Sequence, residues 1–149
     1  MALSTLIKRL RAAIIDGGDS DSLLAEMVEK HGAAVIRPLL LMMDFNDDQT
    51  HEMYSVTHTV ESFPEKHYLA QVIAAVEEMQ SVSPNYLRFV LGRIMNSDEC
   101  AQAFVASGRS LPAQRRTRLV DVLEEVRAKY AGKDMISRNC SSAISELAK

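Results

Sequence analysis

The feature that most narrows the fold of this chain is its punctuation. Glycine, proline and cap-forming residues recur at short intervals, and between them the apolar residues fall at spacings of three and four. Leu3, Leu6, Ile7, Leu10 and Ile14 make one such stripe, from about Leu3 to Ile15, and Gly17-Gly18 stops it. Asp19 to Ser22 offers caps for a second helix, Leu23 to about His31, ended by Gly32. The third segment, Ala33 to Asp44, is too apolar for a surface helix and reads as the buried member of a stacked pair. Pro38 either begins it or kinks it.

The pattern continues with a turn at Phe45 to Asp48. A helix over about Gln49 to Ser62 follows, with Met53, Val56, Val60 and Phe63 as its core stripe. Pro64 opens a helix to about Gln80, and Ser83-Pro84 repeats a cap-plus-proline entry into a helix through Met95. A shorter helix covers Glu99 to Ala106 before Gly108, and a long charged one runs from Leu111-Pro112 to about Gly132. A weaker amphipathic piece, within residues 133–149, closes the chain as a terminal cap or a fraying end. Leu, Ala, Met and Glu dominate, Trp is absent, and no strand alternation competes. The expectation is a single all-α domain over 1–149. Successive helix pairs spaced about 32 residues apart point to stacked antiparallel hairpins in a HEAT-like right-handed superhelix, with a closed helical bundle as the alternative.

Charge is distributed unevenly. Residues 19–81 hold twelve acidic and three basic side chains, a net of −9, against +2 for residues 1–18 and +4 for 82–149. A near-neutral chain that collects its negative charge in one stretch presents a field to a partner. Acids near helix starts also favour the helix dipole, which accounts for Asp47, Asp48 and Glu65. It accounts less well for Lys66 standing alone as the basic residue between 38 and 81. The partner-binding set expected from this is Asp44, Asp47, Asp48, His51, Glu52, Ser55, His58, Glu61 and Glu65.

Other chemistries fit less well. His51, Ser55, His58 and Ser62 share one helical stripe, with Glu61 beside it. A zinc-binding helix wants two histidines at i and i+4, whereas these stand at i and i+7. A serine nucleophile wants a sharp turn and an oxyanion hole. No catalytic residue, metal or cofactor is therefore assigned, and the reading is a binding protein, not an enzyme. The arginines 109, 115, 116 and 118 are interleaved with Asp121, Glu124 and Glu125 and lack stacking aromatics, so nucleic acid is not expected. No apolar run is long enough for a membrane span and no secretion signal is apparent, so the expected location is the cytoplasm. Cys100 and Cys140 read as a reduced pair.

The central block carries a resemblance. Residues Met53 to Phe63 (MYSVTHTVESF) with Tyr68-Leu69, and Ser83 to Ser97 (SPNYLRFVLGRIMNS), resemble immunity protein family 30 of bacterial polymorphic toxin systems over about residues 33–105. The carrying pieces are the helix with His58 and its Glu61-Ser62-Phe63 end, and the Arg93 to Asn96 helix end. Aromatic residues are common in the family where this chain has Met53 and Tyr86. The resemblance implies a small, helical, cytoplasmic protein that neutralises a cognate toxin by binding it, in contact-dependent inhibition or a related setting. The expected partner is a protein toxin, such as a basic nuclease or another cytotoxic enzyme domain, met by a monomer or weak homodimer. An adaptor module that takes a helical peptide is the alternative. For Arg93 and Asn96 a helix-end role is expected, with Asn96 as a left-handed cap and Arg93 paired to Glu61.

Overall fold

The computed structural model describes all 149 residues, and every regular element in it is helical. There are nine α-helices: α1 (Leu3–Asp16), α2 (Ser20–His31), α3 (Ile36–Leu41), α4 (Thr50–Glu61), α5 (Glu65–Val82), α6 (Pro84–Met95), α7 (Asp98–Gly108), α8 (Ala113–Lys129) and α9 (Asp134–Leu147). Short 3₁₀ turns at Gly32–Val35 and Asp47–Gln49 precede α3 and α4. The chain gathers into two compact units, Met1–Tyr86 and Leu87–Lys149, and α6 runs from one into the other.

In the first unit α1 and α2 form a hairpin closed at Gly17, whose φ of 77° is a left-handed conformation suited to glycine. Asp19 caps α2 by accepting from the Ser22 N–H at 3.1 Å and the Ser22 hydroxyl at 2.6 Å. These bonds hold its carboxyl below the usual carboxylate range. The expected third helix is two pieces. Pro38 cannot donate a hydrogen bond, and the chain accommodates it by passing from a 3₁₀ turn into an α-helix with Pro38 in its first turn, where no donor is required. Val35, Ile36, Leu39 and Leu40 are wholly buried, as the apolar run demands.

The core of this unit is Leu6, Leu10, Met27, Val56, Val60, Val72 and Met79 with that run. Beyond the α1–α2 hairpin, α3 packs on α5 and α2 on α4. Pairing each helix with the next but one is compatible with stacked hairpins.

Entry into α6 is not built as the local Ser-Pro pattern suggests. The Ser83 hydroxyl donates instead to the Leu40 carbonyl at 3.0 Å. The cap comes from Asp44, whose carboxylate accepts the Tyr86 N–H at 2.8 Å and the Asn85 side-chain amide at 2.9 Å. Tyr86 is held twice more. Its hydroxyl lies 2.9 Å from that of the buried Thr57, and its ring meets Phe45 edge-on at 4.9 Å between centroids. One aromatic side chain thus ties the start of α6 to α4 and to the loop after α3.

In the second unit α9 packs along both α8 and α7, burying Ile136, Cys140, Ala143 and Leu147. Gly108 ends α7, and a methyl group there would stand 3.0 Å from Leu147 and 3.2 Å from Leu119. Gly92 is tighter still, since a Cβ would lie 2.6 Å from the Tyr130 ring. Asn96 is not a left-handed cap, for no non-glycine residue has a positive φ. The loop after α6 is closed instead by Asn139, which donates to the Met95 carbonyl at 2.8 Å and to Asp98 at 3.1 Å. Both cysteines are free thiols.

Candidate partner-binding site

The residues expected to bind a partner all lie in the first unit, where the structure sorts them into different roles. Asp44 is the cap of α6 described above, half-buried and occupied on both oxygens. Asp47 and Asp48 sit exposed on the 3₁₀ turn before α4. Asn46 and Gln49, not the two aspartates, cap this turn, through the Asp48 N–H and the Asn46 N–H. Glu65 is exposed in the first turn of α5.

The remainder belong to α4. At 100° per residue, His51, Ser55 and His58 fall within about 60° of one another, so the polar stripe read from the sequence is one face of the helix. Val56, Thr57 and Val60 form the buried face. Glu52 and Glu61 are nine residues apart, about 180° around the axis, and so flank the stripe on opposite edges. Tyr54 stands beside it, 40 % exposed and 6.0 Å from the His58 ring.

The stripe does not face open solvent alone. Ser55, His58, Thr59 and Ser62 form one wall of a cleft of about 620 Å³, and Asp21, Leu24, Ala25, Val28 and Glu29 of α2 form the other. At one end His51 Nε2 lies 3.9 Å from the Asp21 carboxylate, so the two helices begin side by side. Asp21 and Glu29 were not among the residues singled out from the sequence. The signal was present in the Asp21, Ala25, Val28, Glu29 spacing, which places both carboxylates on one side of α2.

The electrostatics follow the same partition. With no charged residue between 82 and 86, the first unit carries −7 and the second +4. Within the first unit several acids are engaged internally: Asp19 and Asp44 in caps, Glu26 with Lys30, and Glu78 with Arg37. The carboxylates of Glu29, Asp47, Asp48, Glu52 and Glu65 join no ion pair within the chain and keep their full field toward solvent. No group of three or more His, Cys, Asp or Glu side chains is arranged to hold a metal ion.

The family model for immunity protein 30 matches residues 17–104, which takes in the whole acidic stretch, the α2–α4 cleft and α6. The chain belongs to the immunity protein 30 family. The match reaches further toward the N-terminus than the resemblance over 33–105 suggested, and α2 with Asp21 and Glu29 lies in that added part. No curated protein and no solved structure matches the chain. Immunity proteins act against a toxin and are generally not enzymes, and no helix here is long and apolar enough to cross a membrane.

Proposed function

We propose that this immunity protein binds its cognate toxin in the cytoplasm and neutralises it by covering the active site, docking through the acidic surface of its first unit. The observation that carries the reading is the overlap between the family match at 17–104 and the excess negative charge at 19–81. Asp47, Asp48, Glu52 and Glu65, with His51, Ser55, His58 and Glu61, form the docking face. Asp44 contributes by fixing α6 and not by touching the toxin. A toxin that handles an anionic substrate, a nuclease for example, displays cations around its active site. Carboxylates held on a rigid helical surface would meet those cations, raise the association rate and block entry of substrate.

The test pairs the chain with its cognate toxin domain. Co-expression should restore growth, and the purified pair should bind with an affinity that falls as salt rises. Reversing Asp47, Asp48 and Glu52 to lysine should slow association by about tenfold or more and flatten the salt dependence, with thermal stability nearly unchanged. Unchanged affinity in that variant would move the docking face elsewhere. A peptide-binding adaptor would instead show little response to salt. The acids and hydroxyls lining the α2–α4 cleft favour the toxin reading over that one.

A further inference from the structure

The α2–α4 cleft has a chemistry more specific than negative charge. Thr59 Oγ1 donates its proton to the Ser55 carbonyl at 2.9 Å, and Ser62 Oγ donates to the Thr59 carbonyl at 2.6 Å. These two hydroxyls have therefore used their protons on their own helix and offer the cleft lone pairs alone, while the Ser55 hydroxyl and the His58 ring on the same wall can donate or accept. The Asp21 and Glu29 carboxylates across from them are acceptors as well. Both helices also end near Glu29 and Ser62, so their dipoles add partial negative charge at that end. The nearby Lys30 is already committed to Glu26 at 3.6 Å, and the His31 ring lies 3.1 Å from the Met1 carbonyl. Between the acceptors runs an apolar strip of Leu24, Ala25 and Val28.

A site that accepts many hydrogen bonds, carries negative charge and has an apolar floor suits a side chain with several donors, no acceptor and an aliphatic stem. We infer that the cleft receives an arginine side chain from a segment of the bound toxin, with its guanidinium between Glu29, Thr59 and Ser62 and its stem along Leu24 and Val28. A guanidinium presents five N–H donors in a planar fork, whereas an ammonium presents three from a point. The exposed Tyr54 ring beside His58 supplies a face on which neighbouring toxin residues can rest. This inference rests on the immunity reading for the source of the arginine, but not for the chemistry of the cleft.

The test separates the two. The full chain, isotopically labelled, is titrated with N-acetyl-arginine amide, N-acetyl-lysine amide and N-acetyl-citrulline amide while amide resonances are followed by NMR. Signals of Ala25, Glu29, Thr59 and Ser62 should move with the arginine compound, more weakly with the lysine compound, and not with the uncharged citrulline isostere. In the double variant Asp21→Asn, Glu29→Gln, checked for an unchanged melt, the response should weaken by about tenfold or more. Equal shifts with citrulline, or with lysine, or shifts scattered away from the cleft, would overturn the guanidinium assignment. No toxin enters these measurements, so their failure leaves the immunity reading standing. With toxin present, the same double variant should protect growth less well than the unaltered chain. Full protection would remove the cleft from the interface, and no protection by the unaltered chain would overturn both readings.

Discussion

Replacing Asp44 with alanine distinguishes a carboxylate that builds the fold from one that meets a partner. Its two oxygens accept the Tyr86 N–H at 2.8 Å and the Asn85 amide at 2.9 Å, at the start of α6. A first-turn N–H has no partner within its own helix, and Tyr86 is buried, so water replaces the lost acceptor poorly. Loss of a capping side chain costs about 0.5–2 kcal/mol, and the partial burial here places the estimate near 1.5 kcal/mol. The exposed Asn85 bond adds little, because water can take it over. For a chain of this size each kcal/mol moves Tm by about 2–4 °C, giving an expected drop of about 3–6 °C. Asparagine keeps an oxygen for the Tyr86 N–H and should lose about half as much. Far-ultraviolet circular dichroism melts give the first number. Titration calorimetry with the toxin domain, well below the transition, gives the second, which should change less than about twofold. If the alanine variant melts with the unaltered chain yet binds markedly more weakly, Asp44 is a docking residue and the capping argument fails.

Three further outcomes are expected. Gly92→Ala brings a methyl group to 2.6 Å from the Tyr130 ring and should destabilise the chain by about 1–3 kcal/mol in urea titrations; combining it with Tyr130→Ala should cost less than the sum of the two changes. Asp98 is held below its ordinary pKa of 3.8, first by the Asn139 amide and then by Arg138, so it stabilises the fold above that value and the contribution disappears as pH falls through the lower folded value. Asp98→Asn should therefore narrow the gap between neutral and acid stability, and identical pH profiles of the urea midpoint for the two chains would refute this. Burial pushes the Cys140 thiol up to about 11, so at mildly alkaline pH a thiol-directed reagent should label Cys100 alone until urea unfolds the second unit.

The helices were legible because their signals are local. Apolar spacing, a glycine after the last turn and a proline before the first act within a few residues, and α1, α5 and α6 follow them closely. Pro38 carried a readable ambiguity, resolved only by the 3₁₀ turn before it. Asp44 was not legible as a cap, since the donor it serves lies 42 residues away and depends on how α3, α4 and α6 meet. Nor was Thr57, whose hydroxyl is wholly buried beside the Val56 and Val60 stripe and reaches both the Met53 carbonyl and Tyr86. The polar stripe of α4 could be drawn from sequence, but the facing wall from α2 could not, because which helices become neighbours is a property of packing. The last segment was underread: Ile136, Cys140, Ala143 and Leu147 recur at spacings of four, three and four, and that stripe is its buried face.

The charge split also predicts opposite responses to salt. A unit that holds −7 within residues 1–86 repels itself, and carboxylates such as Asp47, Asp48, Glu52 and Glu65 lack cations within the chain to offset that. Each of these four sits in a first helical turn, where the helix dipole offsets part of that repulsion, and docking onto a cationic surface uses the field that remains. Adding salt screens both interactions, with a Debye length of about 10 Å at 0.1 M. It should raise the melting temperature of the free immunity protein while weakening its complex with the toxin. The Asp47, Asp48, Glu52 reversal should reduce both responses together, because the same carboxylates feed both. If the free protein's stability ignores salt while binding does not, the field at the interface originates outside this acidic unit.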